Sequence, residues 1–294
     1  MNWTPVPVGF VLFSPDATTT GAFRIAHQII DEAGWSFVRF RWLRLDPGGV
    51  ALLYAKNRAT RSPSVLDALV DELFALDWSL AALVTPKSGH AFTDSWQSLA
   101  ALKGPSDPKR LKPEHLRARL GAESKIANFI HTSASYEDTL REAVVAFCDG
   151  VQVRDATSAS LPIPPTDLVA RQSIRVLDCQ HDLKRRLLVR CSANLPHELE
   201  GLLAEERQLL DHHVSTSPDL RCVLSAQVSA CTAAPYRAQP AARAFVGLCV
   251  RVSKPDEILQ LLDITGTGPD RWERFILRCY SLAGPDDVSC VENI

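Results

Sequence analysis

Residues 8–45 read VGFVLFSPDATTTGAFRIAHQIIDEAGWSFVRFRWLRL, and their apolar rhythm changes twice. VGFVLF is a short continuous apolar run, the pattern of a buried strand. TGAFRIAHQIIDEAG then places Phe23, Ala26, Ile29, Ile30 and Ala33 on one helical face and stops at Gly34. WSFVRFRWLRL alternates, with Val38, Phe40 and Trp42 on one side and Arg39 and Arg41 on the other, as a half-buried strand does.

Downstream, PSVLDALVDELFAL repeats the helical stripe through Val65, Leu66, Leu69, Val70 and Leu73. WSLAALV (78–84) is another strand, and TDSWQSLAALK (93–103) a short helix. A long polar loop leads to KIANFI (125–130), which reads as a strand ending against His131. SYEDTLREAVVAF is a helix with Leu140, Val144 and Phe147 aligned, opened by Ser135 with Asp138 three residues on, as in a capping box. The main order is βαββαβ, which packs as a ferredoxin-like α+β sandwich.

The chain has 294 residues, enough for two ordinary domains. With 46% hydrophobic and 22% charged residues it can bury cores. A net charge of −2 gives no field that favours nucleic acid or an anionic membrane as the main partner. No apolar run approaches the roughly 20 residues that span a bilayer. MNWTPVPVGF lacks the basic and apolar regions of a secretory signal, so the expected location is cytoplasmic.

All eight cysteines lie from Cys148 onward, none in a C-x-x-C pair. That fits reduced core thiols better than a zinc site or a disulfide network. The cysteine boundary coincides with VQVRDATSASLPIPPTD, rich in small residues and proline. The expected division is therefore a first domain over 1–150, a linker over 151–168 and a second domain over 169–294. In the second, strands are expected at SIRVLDC, KRRLLVRCS, LRCVLSAQVSA and AFVGLCVRVS, and helices at 196–212, 255–263 and 270–282, which makes a second α+β domain.

Three stretches of the first half together resemble the nucleoside diphosphate kinases over roughly residues 8–148. FSPDATTTGA resembles that family's I-K-P-D-x-x-x-x-G turn. GPSDPKRLKPEHLRARLG resembles its G-x-T-N-P…P-G-T-I-R-G loop, and NFIHTSASYEDTLREAVVAF its N-I-I-H-G-S-D-S turn and following helix. The resemblance implies phosphoryl transfer through a covalent histidine at His131. It implies that Glu142 holds the imidazole tautomer, that Tyr54 lies beside the histidine, and that Ser133 follows it. Asn128, Arg117, Ser106 and Ser14 fall at nucleotide-binding positions. The nucleotide would be a triphosphate accompanied by Mg2+. The chemistry is consistent: imidazole attacks phosphorus only when neutral, so a partner must orient it.

The chain departs from that pattern mainly where positive charge is concentrated. The family's lysine is here Ser14, and an arginine before the loop glycine is Ala100. The base-stacking aromatic falls near Ser62 and Pro63, and Thr132 and Ala134 replace a glycine and an aspartate. Lys103, Lys109, Arg110 and Lys112 lie close by in sequence. Two readings follow: a phosphotransferase serving a small-molecule or protein acceptor other than a general nucleoside diphosphate, or a degenerate nucleotide-binding regulatory or protein-interaction module. Without the resemblance, His131 is also readable as a strand-end histidine with no chemistry. Family members commonly form hexamers or tetramers, and the added half leaves homo-oligomerisation open. His27 and His115 lack metal-ligand spacing, so no metal site is expected there.

Overall fold

Strand β1, Gly9–Phe13, is buried along its whole length, which accounts for its unbroken apolar sequence. The computed structural model describes residues 8–59, 62, 64–87, 95–147, 159–212, 218–233, 236–249 and 255–281. In it β1 lies inside a four-stranded antiparallel sheet of order β2-β3-β1-β4, where β2 is Trp35–Leu43, β3 Ser79–Pro86 and β4 Ile130–Thr132. Helices α1 (Pro15–Thr19) and α2 (Ala22–Glu32) join β1 to β2; α6 (Ser95–Lys103) and α7 (Leu116–Arg119) join β3 to β4. The βαββαβ sandwich thus holds, with two additions. Helices α3 (Pro47–Leu53), α4 (Ala55–Ala59) and α5 (Val65–Leu76) stand between β2 and β3, and α8 (Tyr136–Ala146) follows β4.

One sheet face packs on α2, where the Phe23 ring meets Phe13 at 6.5 Å and Trp42 at 5.6 Å. The other joins Phe10, Leu12, Ala81 and Leu83 to Val50 and Leu53 of α3, Phe74 of α5, and Ala143 and Ala146 of α8. Burying the valine, leucine and phenylalanine side chains contributes about 1.5–3 kcal/mol each, so this two-sided core fixes the sheet that carries β4.

The alternation expected in β2 is interrupted by a bulge. Phe37 pairs with Val84 and Arg39 with Leu83, leaving Val38 as the extra residue. A one-residue insertion reverses the phase of a strand. Val38 therefore packs with the Phe10 cluster, while Phe37 and Phe40 stack at 5.2 Å and His27 lies on Phe37 at 4.4 Å. Nor do the two arginines simply face water: Arg39 lies over the Phe147 ring and Arg41 donates to the Ala146 carbonyl at 2.7 Å. Helix α8 corrects the sequence in a similar way. Leu140 and Val144 are exposed, and the inward stripe is Thr139, Glu142, Ala143 and Ala146.

The chain divides into two units, Met1–Gln172 and Ser173–Ile294. The described part of the proline-rich stretch lies on the first unit, with the Ala159 amide on the Phe37 carbonyl, the Arg171 amide on the Thr19 carbonyl and the Trp78 indole on Asp167. In the second unit the four expected strands are corrected: every element among the described residues is helical. These are α9 (Val176–Cys191), α10 (Leu199–Asp211), α11 (Pro218–Thr232), α12 (Pro240–Cys249), α13 (Pro255–Ile264) and α14 (Arg271–Ser281). The three helices expected at 196–212, 255–263 and 270–282 correspond to α10, α13 and α14. The molecule remains α+β, and among the described residues its sheet lies in the first unit.

Polar residues at core positions hid the helices. The buried residues of α9 are Val176, Cys179, Gln180, His181, Leu183, Lys184, Leu187 and Leu188, a helical period broken in hydrophobicity by Gln180, His181 and Lys184. Lys184 is buried because both Glu206 oxygens accept from it, at 2.5 and 2.6 Å, and Gln227 at 3.1 Å. Cys179, Cys231, Cys249 and Cys279 are buried, Cys191 is half-buried and Cys222 exposed. No helix among the described residues is long and apolar enough to cross a membrane.

Candidate active site

The apolar run before His131 is not a strand until Ile130. Residues 125–129 are irregular, and Phe129 has φ +70, the one positive value at a non-glycine residue among those described. The Ile130 amide donates back to the Asn128 carbonyl at 2.9 Å, so Phe129 is the centre of a three-residue turn. Such a backbone costs about 1–3 kcal/mol and needs its surroundings to hold it. Asp16 supplies the hold: its Oδ2 accepts the Phe129 amide at 2.7 Å, and the Phe129 carbonyl accepts the Ser14 amide at 3.2 Å. Beyond the turn β4 pairs with β1, setting His131 opposite Leu12.

The His131 imidazole is mostly buried, and its Nε2 lies 2.7 Å from Glu142 Oε2. The same oxygen accepts from Ser133 Oγ at 2.7 Å, while Oε1 accepts from Arg141 at 2.9 Å. A carboxylate only accepts, so Nε2 carries the proton and Nδ1 keeps the lone pair. Burial lowers the His131 pKa; the hydrogen bond and charge of Glu142 oppose this, and Lys103 and Arg117 add to the lowering. The net result is an oriented imidazole biased toward its neutral form. The Tyr54 ring meets it edge-on at 5.5 Å, and burial pushes the Tyr54 phenol up, so it stays protonated.

His131 opens on a cavity of about 520 Å³. Tyr54, Glu142, Asn128, Arg117 and Ser106 all line it. Ser14 does not: it is buried with its hydroxyl donated to Asp16 Oδ1 at 2.5 Å. Asn128 lines the cavity with its amide donated to the Lys125 carbonyl at 2.7 Å. Arg117 is buried; Nη1 donates to the Gly104 carbonyl at 3.0 Å and Nη2 to Ile130 at 2.7 Å, which ties the loop after α6 to β4. Burial pulls its pKa down to about 10, so it stays charged at neutral pH. Of the four basic residues near the loop, Lys103 lines the cavity and Lys109, Arg110 and Lys112 do not.

Sequence reasoning missed Asp16, Lys56 and Arg141, and noticed Asp138 only as a cap residue. Ser135 does accept the Asp138 amide, at 3.1 Å, but the Asp138 carboxylate turns to Lys56 at 3.3 Å and Arg141 at 2.8 Å. The buried Asp16 was signalled by its place after Pro15 at a strand end and by the aspartate of the I-K-P-D pattern. His27 and His115 have structural partners: Phe37 for the first, and for His115 Nδ1 the Lys112 amide at 2.9 Å. Among the described residues no three histidine, cysteine or carboxylate side chains gather as a metal site. The cavity carboxylates are already engaged, Glu142 by His131, Asp138 by Lys56 and Arg141, and Asp67 by Ser64 and Arg58.

Several solved nucleoside diphosphate kinases are similar to this chain. The Aquifex aeolicus enzyme is 23% identical with a TM-score of 0.41, covering 50% of this chain and 100% of that one. The Encephalitozoon cuniculi enzyme is 19% identical with a TM-score of 0.43, covering 51% and 94%. The Borrelia burgdorferi enzyme, with vanadate and ADP bound as a transition-state mimic, is 17% identical with a TM-score of 0.44, covering 51% and 93%. No curated protein matches the chain. The sequence model of the nucleoside diphosphate kinase family matches residues 8–150, the span that contains the sheet, the cavity and His131. Residues 8–150 are a nucleoside diphosphate kinase-family domain, followed by a second half whose described elements are helical and which this match does not cover.

Proposed function

We propose that the first unit binds a nucleoside triphosphate in the His131 cavity and accepts its terminal phosphoryl group on Nδ1. The observation that carries this reading is the 2.7 Å contact between His131 Nε2 and Glu142, which leaves Nδ1 with the lone pair. As the N–P bond forms, the bond from phosphorus to the bridging oxygen breaks. That oxygen departs on the nucleoside diphosphate with the electron pair. An acceptor oxygen then attacks phosphorus, the N–P bond breaks, and the acceptor's proton is released. Throughout, Nε2 keeps its proton on Glu142, whose charge stabilises the imidazole as its ring becomes electron-poor. Magnesium, expected from the family, finds no protein-built ligand set among the described residues; it would enter on the phosphates of the nucleotide. The acceptor is proposed to be a small molecule or protein other than a general nucleoside diphosphate, because Ser14 and Ala100 contribute no charge.

A second reading, a nucleotide-binding regulatory module, draws on Arg117. Its two terminal nitrogens already donate to backbone carbonyls, which leaves it less to offer a phosphate. Calorimetric titration with ATP, GTP and their diphosphates, followed by assay of each complex for phosphate loss and protein labelling, separates the two. Binding with turnover or labelling supports the enzyme, and binding with neither supports the module. No binding contradicts both.

A further inference from the structure

Lys103 ends α6, and Gly104 turns the chain behind it with φ +82 and its amide on the Ala100 carbonyl at 3.1 Å. The Lys103 side chain lines the cavity with His131. An ammonium has three donors, yet among the described residues this one makes a single long hydrogen bond, 3.4 Å to the Thr132 carbonyl, and no ion pair. The other cations lining the cavity hold carboxylates or shorter carbonyl contacts, although the Nε atoms of Arg117 and Arg141 are buried without a partner. Lys56 pairs with Asp138, Lys125 with Asp107 at 3.2 Å, Arg141 with Asp138 and Glu142, and Arg117 with two carbonyls. A largely buried ammonium with open donors is costly unless something completes its shell. The open donors, the oriented Nδ1 and the cavity therefore converge on one anionic occupant.

We propose that Lys103 is the catalytic cation of this site, donating to the equatorial oxygens of the phosphoryl group as it passes onto His131. This rests on the phosphoryl transfer proposed above. It adds which residue supplies the charge, and places it on α6, at the end of a helix rather than in the turn after β1. Lys103 changes no bond order; its N–H groups hold the oxygens while the P–O bond breaks and the N–P bond forms.

The charges facing Lys103 are Arg117 of α7, His131 of β4 and Glu142 of α8. Burial, joined by Arg117 and opposed by Glu142, pulls its pKa down to about 8. The charged form is the one that binds, so transfer falls as pH rises through about 8. The test is single-turnover labelling of His131 from γ-labelled ATP across the neutral and alkaline range, with each variant's fold checked by circular dichroism. Lys103→Met is expected to slow labelling by about 10²–10³-fold. Lys103→Arg should keep part of the rate and lose the alkaline fall, a change that a merely structural role would not produce. If the wild type labels and Lys103→Met labels equally fast, or the alkaline fall persists in both variants, the assignment of Lys103 is overturned and the transfer stands. If the wild type does not label His131 at all, the transfer falls and Lys103 with it.

Discussion

The Asp16 carboxylate and the Phe129 amide meet at 2.7 Å across 113 residues of sequence, and the bond holds the turn that delivers His131. Asp16 is fully buried, and burial pushes its carboxyl up against the pull of the Ser14 and backbone hydrogen bonds. Removing the carboxylate leaves the Phe129 amide unsatisfied and the positive φ unsupported. Asp16→Ala should cost about 1–3 kcal/mol by urea unfolding, and Asp16→Asn less. An unchanged midpoint in Asp16→Ala would show that the turn holds itself.

Glu142 controls both the orientation and the titration of His131. Because its carboxylate raises the His131 pKa, against the larger effect of burial, Glu142→Gln should lower that pKa further. In the proposed transfer the nucleophile is the neutral form, so the acid limb of the labelling rate should move to lower pH. The plateau should drop by about 10²-fold as the partner's charge is lost. An acid limb that stays put would separate Glu142 from the titrating group.

Gly104 is fixed by its backbone and by a neighbour. At φ +82, a β-carbon there would stand 2.6 Å from His115 Cγ, too close without displacing the ring. Gly104→Ala should therefore destabilise the first unit by about 1–3 kcal/mol from the backbone alone. It should also weaken nucleotide binding, since both Lys103 and Arg117 depend on that turn. A variant with wild-type stability and affinity would remove the turn from the account.

The second unit has its own electrostatic lock. Burial raises the Glu206 pKa, but Lys184, with His181 and Gln227, holds it at about 2, against 4.5 for an ordinary glutamate. The stability this gives is complete above pH 4.5 and is lost as pH falls toward 2. Lys184→Met alone should cost about 3–5 kcal/mol, because it strands a buried carboxylate. Adding Glu206→Gln should recover most of that and remove the acid loss. Equal stability of the single and double variants would mean that the pair does not act as a unit.

The legible parts of the sequence were those where residue type and period agree. The apolar run of β1, the stripe of α2 and the order of elements around His131 gave the sheet and most of the cavity. The misses have local causes. Val38 changed faces because a bulge leaves no compositional mark. KIANFI looked like a strand because its apolar residues surround a tight turn held by an aspartate more than a hundred residues away. Gln180, Lys184 and Gln227 interrupted the helical periods of α9 and α11, since a buried lysine looks exposed until its glutamate is found. The continuous apolar run of α12, buried among its neighbours, matched a strand as well as a helix. Lys103 was visible as a nearby charge, but only the turn at Gly104 shows that it enters the cavity.

The most direct test of the central claim is covalent labelling at His131. After incubation with γ-labelled ATP or GTP and magnesium, the account predicts an acid-labile, base-stable label on the wild-type chain that maps to His131 and is absent from His131→Ala. Equal labelling of His131→Ala, or no label on the wild type under conditions where the nucleotide is bound, would contradict it.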